Sequence, residues 1–287
     1  MDSLRLLVVD AYPAEGRVRL TDAGGTEAGT LYRRMLERLA PGASTEVVHP
    51  ADREPPAGRE LDDLDGAVWT GSNLSILDGS DPRVSRQIEL CRALLGAGVP
   101  CFGSCFAIQV AAVALGGRCR TNPKGREFGI SRRIRLTAPG HEHPLYRDKP
   151  ECFDAFTSHA DEVASLPPGA QLLAANEFSG VQGAIFDGEG RDRAAFWAVQ
   201  YHPEYDLHEV ASLARLRRAE LVAQGTFASE AQADAWIDDL EALHADPSRK
   251  ELADRHGVDE SVRDERVRTL EVRNWLAHVA RRRARSR

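Results

Sequence analysis

With 287 residues, 42% hydrophobic and 28% charged, the chain can build one large α/β domain or two modest ones and is too apolar to be wholly disordered. Its 44 acidic against 37 basic side chains give a net charge of -7, which repels phosphate backbones and argues against nucleic acid as the main ligand. No apolar run approaches the roughly 20 residues that span a bilayer, so no membrane association is expected.

The opening MDSLRLLVVDAYP lacks a basic region followed by a longer apolar stretch, and it reads as a first strand instead of a signal peptide. Continuous apolar runs recur at Leu6–Asp10, Thr45–Val48, Gly66–Thr70 and Val99–Gly103, as expected of parallel strands covered on both faces. Between them Gly29–Leu39 and Arg83–Leu95 read as helices, and this β-α-β rhythm predicts a doubly wound, mostly parallel sheet. From Arg118 to Ala198 strand signals crowd together (ISRRIRL, ECFDAF, QLLAAN, VQGAIF, AAFWAVQ), predicting antiparallel additions at one edge and then a return to the main sheet. After about Asp206 the pattern is helical. Ser229 and Gln232 form a capping-box pair ahead of Ala233, Trp236, Ile237, Leu240 and Leu243, and Pro247 ends that helix. Val272, Trp275, Leu276 and Val279 mark a last amphipathic helix that runs into the basic ARRRARSR. The expected division is therefore a domain over residues 1–206 and a helical extension, 207–287, packed on it.

The five cysteines (Cys91, Cys101, Cys105, Cys119, Cys152) are odd in number and form no CxxC pair. That argues against a disulfide framework or a structural zinc site and fits a reducing cytoplasm. His141-Glu142-His143 lacks further ligands in register and reads as a solvated loop, so neither metal nor cofactor is expected.

One cysteine stands out. In VPCFGSCFAIQVAAVALGG a buried strand runs into Gly103-Ser104-Cys105-Phe106-Ala107, and a helix follows up to Gly116-Gly117. Small residues around a reactive side chain on a tight strand-to-helix turn make a nucleophile elbow, where the helix dipole favours a thiolate and backbone N–H groups face a developing oxyanion. A structural Cys at a strand-helix junction fits the same segment, and taken alone the two readings stand open. The second signal is AFWAVQYHPEYD, an apolar strand ending in His202-Pro203-Glu204. A cysteine nucleophile needs a base, and the base needs a carboxylate to fix its tautomer. Cys105, His202 and Glu204 supply all three at the C-terminal ends of parallel strands, where open α/β sheets carry their sites.

With these residues in view, the chain resembles the class I, triad-type glutamine amidotransferases, a family of flavodoxin-like α/β fold. The Q-[FY]-H-P-E motif is intact as Gln200 to Glu204. The G-x-C-x-G-x-Q motif departs at Ala107, where Gly is usual, and at Ile108, where His is usual, while Gln109 matches. Thr70-Gly71-Ser72 is similar to the loop that donates an oxyanion-hole N–H. Arg126-Glu127-Phe128-Gly129 and Ser158-His159-Ala160-Asp161-Glu162-Val163 are similar to segments of the GMP synthetase amidotransferase domain. The resemblance covers about residues 4 to 210. It implies that Cys105 attacks the γ-amide of glutamine to form a γ-glutamyl thioester, releasing ammonia. His202 moves the proton, Glu204 orients His202, and the N–H groups of Gly71 and Phe106 hold the oxyanion. Gln109 and the backbone around Ser158 and His159 then bind the glutamyl α-groups. His159 and Asp161 also read as a second acid/base pair, with the substrate loop preferred.

The residues after 207 are too few for a fused synthase. The expectation is a glutaminase-type enzyme acting on glutamine, with a separate synthase subunit as its partner. The alternative is a γ-glutamyl peptidase acting on other γ-glutamyl amides, and a non-enzymatic reading is a degenerate amidotransferase-fold binding module. Oligomeric state, a homodimer among the options, is left open. The arginines at 273, 281, 282, 283, 285 and 287 read chiefly as a solvated terminal charge run.

Overall fold

The computed structural model describes residues 3–187 and 195–285; Arg287 of the basic tail lies outside them. The first half of the chain contributes β1 (Arg5–Val9), α1 (Ala14–Asp22), α2 (Ala28–Leu39), β2 (Ser44–Val48), β3 (Gly66–Trp69), α3 (Pro82–Gly96), β4 (Cys101–Ser104) and α4 (Phe106–Ala114). Then come β5 (Arg118–Thr121), β6 (Glu127–Leu136), α5 (Ala138–Glu142), β7 (Cys152–His159), β8 (Asp161–Ser165), β9 (Gln171–Ala175), β10 (Gly183–Asp187) and β11 (Ala195–Val199). Six helices follow: α6 (Leu207–Ala223), α7 (Glu230–Ala245), α8 (Lys250–His256), α9 (Glu260–Arg263), α10 (Glu265–Arg268) and α11 (Leu270–Arg285).

Among the described residues nine strands form one sheet in the order β2-β1-β3-β4-β11-β10-β9-β6-β7, and β5 pairs with β8 in a separate ribbon. The first five are mutually parallel in the flavodoxin-like order, and the remaining four are antiparallel, as the crowded strand signals predicted. The separate ribbon was not anticipated, because the segment 158–163 carries β8 within a motif read for its chemistry. The four inner parallel strands, β1, β3, β4 and β11, bury both faces, whereas β2 at the edge of the sheet buries only Val48, contrary to the expectation for Thr45–Val48. Leu7, Val9, Ala67, Trp69 and Cys101 meet Leu90, Leu94 and Val110 of α3 and α4 on one side. Leu6, Val8, Val68 and Phe102 meet Tyr32, Met35 and Leu36 of α2 and Val272, Trp275 and Leu276 of α11 on the other.

That second face involves the C-terminal helices. The sequence suggests a helical extension packed on the core, and α11 packs there beside α2 as part of the layer that closes the sheet. Trp275 is fully buried, its ring 6.2 Å from that of Phe102, and it lies where a Cβ on Gly66 would come within 2.9 Å of it. Glu271 and Lys149, both excluded from solvent, form an ion pair at 2.9 Å, and Glu271 also accepts from the Tyr201 hydroxyl beside the strand end. The tail is only partly solvated. Arg282 donates to the Gly98 carbonyl, and Arg283 pairs with Asp65. Helices α6 to α8 form a third apolar cluster with Leu20, Phe156 and Tyr205. At the start of α7, Ser229 accepts from Gln232 N–H, but the Gln232 side chain reaches back to Ala228 N–H, one residue before the cap, so the capping box is half formed. Trp236 is half-buried against Phe128 and Phe227 and does not enter the core as its periodicity suggested.

Candidate functional site

The register of the parallel strands decides which loops meet. Val9 pairs with Trp69, Trp69 with Gly103, and Ser104 with Val199, so the residues after β1, β3, β4 and β11 emerge along one edge of the sheet. Gly71, Cys105 and His202 are therefore neighbours although far apart in the chain. A Cβ placed on Gly71 would lie 2.8 Å from His202 Cε1 and 3.4 Å from Cys105 Cβ, so glycine is required for that approach.

Cys105 sits between β4 and α4 at φ 54°, ψ −106°, a conformation that costs a non-glycine residue about 1–3 kcal/mol. The turn holds because the Cys105 N–H donates to the Val199 carbonyl at 2.8 Å and α4 is buried along nearly its whole length. A Cβ on Gly103 would come 2.4 Å from the Ala107 methyl. The methyl of Ala107, the departure from the G-x-C-x-G pattern, thus fills the space over Gly103, and Ile108 is simply core. Phe106 opens α4, so its N–H has no acceptor inside the helix, and among the described residues no acceptor is bonded to the Gly71 N–H.

Opposite the thiol, the His202 N–H is tied to the Phe156 carbonyl at 2.8 Å, and Pro203 turns the chain so that Glu204 comes back beside the ring. His202 Nδ1 donates to Glu204 Oε1 at 2.7 Å, which leaves Nε2 for the thiol. Burial alone would favour the neutral imidazole, but Glu204 and Cys105 outweigh it and push the His202 pKa up to about 10. Two further groups, not foreseen from the sequence, complete this chain of bonds. Ser104 Oγ donates to Glu204 Oε1 at 3.2 Å, and the buried Tyr32 hydroxyl donates to Ser104 Oγ at 2.8 Å. Tyr205 stacks on His202, with ring centroids 4.0 Å apart and planes 6° from parallel. Ser104 precedes Cys105 and Tyr205 follows the H-P-E motif, so their positions were available as a signal. Tyr32 comes from α2 and left none.

A cavity of about 280 Å³ opens over Cys105, with Phe106, Gln109, Ser158, His159 and Asp161 in its wall. Gln109 Nε2 donates to the Asp161 carbonyl at 2.9 Å, and Ser158 Oγ is buried without a partner. The His159 ring is already engaged: Nε2 meets Glu127 Oε2 at 2.8 Å and Nδ1 the Asp161 carbonyl at 2.9 Å. A larger cavity, about 830 Å³, lies on the outer antiparallel strands and is lined by no cysteine. Cys91 and Cys101 are buried, and their thiols are pushed upward by burial. A thiol on a strained turn, an imidazole bonded to a carboxylate and two backbone N–H groups with no acceptor among the described residues are the kinds of group that acyl transfer uses.

The family model for class-I glutamine amidotransferases matches residues 66–214, just over half of the chain, spanning the elbow and the H-P-E segment. The chain belongs to the class-I glutamine amidotransferase family. A γ-glutamyl-L-1-hydroxyisopropylamide hydrolase of a Pseudomonas species is 31% identical over 284 residues, covering 97% of this chain and 94% of that one. The GMP synthase of Alkalilimnicola ehrlichii is 35% identical over 196 residues, which is 66% of this chain but only 33% of the synthase. Among solved structures, a Thermotoga maritima glutamine amidotransferase superposes with a TM-score of 0.67 at 16% identity, over 97% of this chain and 99% of that one. A glutamine amidotransferase of Methylobacillus flagellatus gives 0.61 at 19% identity, over 98% and 94%. Both share the fold. Among the described residues no helix is long and apolar enough to cross a membrane.

Proposed function

We propose that this amidotransferase-family protein hydrolyses the γ-amide bond of γ-glutamyl amides through Cys105, His202 and Glu204. His202 takes the thiol proton, and Cys105 Sγ bonds to the γ-carbonyl carbon. The resulting oxyanion rests on the N–H groups of Gly71 and Phe106, each such donor contributing about 2.7–4 kcal/mol to the transition state. The C–N bond then breaks, His202 gives its proton to the departing amine, and a γ-glutamyl thioester remains. Water, deprotonated by His202, cleaves the thioester to release glutamate and restore the thiol. Gln109, lining the cavity one helical turn after Cys105, and the backbone at Ser158 and His159 hold the glutamyl α-groups.

The observation that carries this reading is the approach of the strained Cys105, which lines the cavity, to the buried His202–Glu204 pair, whose side chains are 2.7 Å apart. The end-to-end match to a γ-glutamyl amide hydrolase favours an enzyme that works on its own. A second reading, a glutaminase serving a separate synthase subunit, draws on the likeness to one third of the GMP synthases. Release of amine from glutamine and from a panel of γ-glutamyl amides separates the two. Cys105→Ala is expected to abolish turnover of all of them with the fold intact, whereas changes at Cys91, Cys101, Cys119 or Cys152 do not. Wild-type turnover by Cys105→Ala would end the assignment. Gln109→Ala should raise KM more than it lowers kcat, as expected for contacts made equally in ground and transition states.

A further inference from the structure

The wall of the Cys105 cavity contains two arginines that the mechanism leaves unused. Arg126 precedes β6 and Arg217 lies on α6, and both line the cavity. They share a single carboxylate: Glu220 Oε1 accepts from Arg126 Nη2 at 2.8 Å and Glu220 Oε2 from Arg217 Nη1 at 3.0 Å. Among the described residues neither arginine pairs with another acid, and the Nε–H of each is buried without an acceptor. Two guanidinium groups against one carboxylate leave a surplus positive charge, with the arginine side chains only 12% and 18% exposed. A partly buried surplus of this kind is matched by an incoming anion, and the planar fork of arginine favours a carboxylate.

The position of the cluster indicates which carboxylate. His202 delivers a proton to the departing amine, so the amine nitrogen must lie on the His202 flank. From there Tyr205 stacks on the ring. Tyr12, Asn73, Arg217 and Glu220 together line a second cavity of about 310 Å³, which Gln109, Ser158, His159 and Asp161 do not reach. We propose that Arg217, with Arg126, forms a subsite for a carboxylate carried by the leaving amine, so that the preferred substrates are γ-glutamyl amino acids. The proposal rests on the γ-glutamyl amide reading and gives it a substrate class. Glu220 presets the two forks and neutralises only half of their charge.

The test compares γ-glutamylalanine with γ-glutamyl-L-1-hydroxyisopropylamide, which has a hydroxymethyl group where the former has its carboxylate. The wild-type protein should prefer the carboxylate by about tenfold to a hundredfold in kcat/KM, the range of one charge-assisted hydrogen-bonded pair. Arg217→Ala should remove most of that preference, and Arg217→Lys should restore part of it. Glu220→Gln should increase the preference, an opposite sign that damage to the fold does not produce. Equal kcat/KM for the two amides in the wild type overturns the proposal. So does a ratio that Arg217→Ala leaves within about twofold of its wild-type value, because the arginines would then serve the glutamyl half or the fold. Calorimetric binding of the same two amides to Cys105→Ala gives the ratio independently of turnover, so failure of the hydrolase reading and failure of the subsite are distinguishable.

Discussion

Glu204 is asked to satisfy two donors with one oxygen: Oε1 accepts from His202 and from Ser104, while Oε2 is buried without a partner. Its orientation therefore depends on Ser104, and through Ser104 on Tyr32. Ser104→Ala is expected to lower kcat by about tenfold with little change in KM, since a positioning group acts on the transition state more than on binding. Tyr32→Phe should do the same more weakly, and steady-state kinetics on glutamine checks both. His202 supplies a second test. Its pKa is raised from 6.5 to about 10, against burial, by Glu204 and Cys105, so the proton it holds stabilises the folded state. That contribution is complete below pH 6.5 and is lost as the pH rises through about 10. Chemical denaturation should show the stability gap between wild type and His202→Gln narrowing over this window; a gap constant with pH would contradict the assignment.

At the scale of elements, the elbow is a packing device as much as a chemical one. β4 and α4 meet so closely that Gly103→Ala would set two methyl groups 2.4 Å apart, and the cost expected for overpacking is about 1–3 kcal/mol. Because the displaced element carries Cys105, turnover should fall together with Tm, and thermal melts with parallel assays would show it. Helix α11 is the other element with an outsized role. Trp275→Ala should destabilise by about 3–5 kcal/mol, and Glu271→Ala, which strands the buried Lys149 ammonium, by a similar amount. Both belong to folding and not to chemistry: at temperatures where the variants remain folded, kcat should stay near that of the wild type.

For the molecule as a whole, these links imply that residues 207–285 are not an optional appendage. We expect a chain ended at residue 206 to be insoluble or molten, because it would uncover the face closed by α11 and the apolar cluster of α6 to α8. Removal of residues 281–287 should lower Tm through loss of the Arg282–Gly98 and Arg283–Asp65 contacts and leave turnover nearly intact. What the sequence determined by itself was local. Continuous apolar runs marked the inner parallel strands because both of their faces are buried, and small residues around Cys105 marked the turn because nothing larger fits there. The spacing of His202 and Glu204 marked the pair because one proline returns the chain onto itself. What only the tertiary structure decided was long-range. Tyr32 reaches Glu204 through Ser104, Arg217 joins Arg126 at the cavity, and α11 closes the sheet, in each case between residues far apart in sequence. Periodicity reports which face of an element is buried but not what buries it; that choice belongs to strand order and register, which bring the four loops to one edge and turn a terminal helix into part of the core.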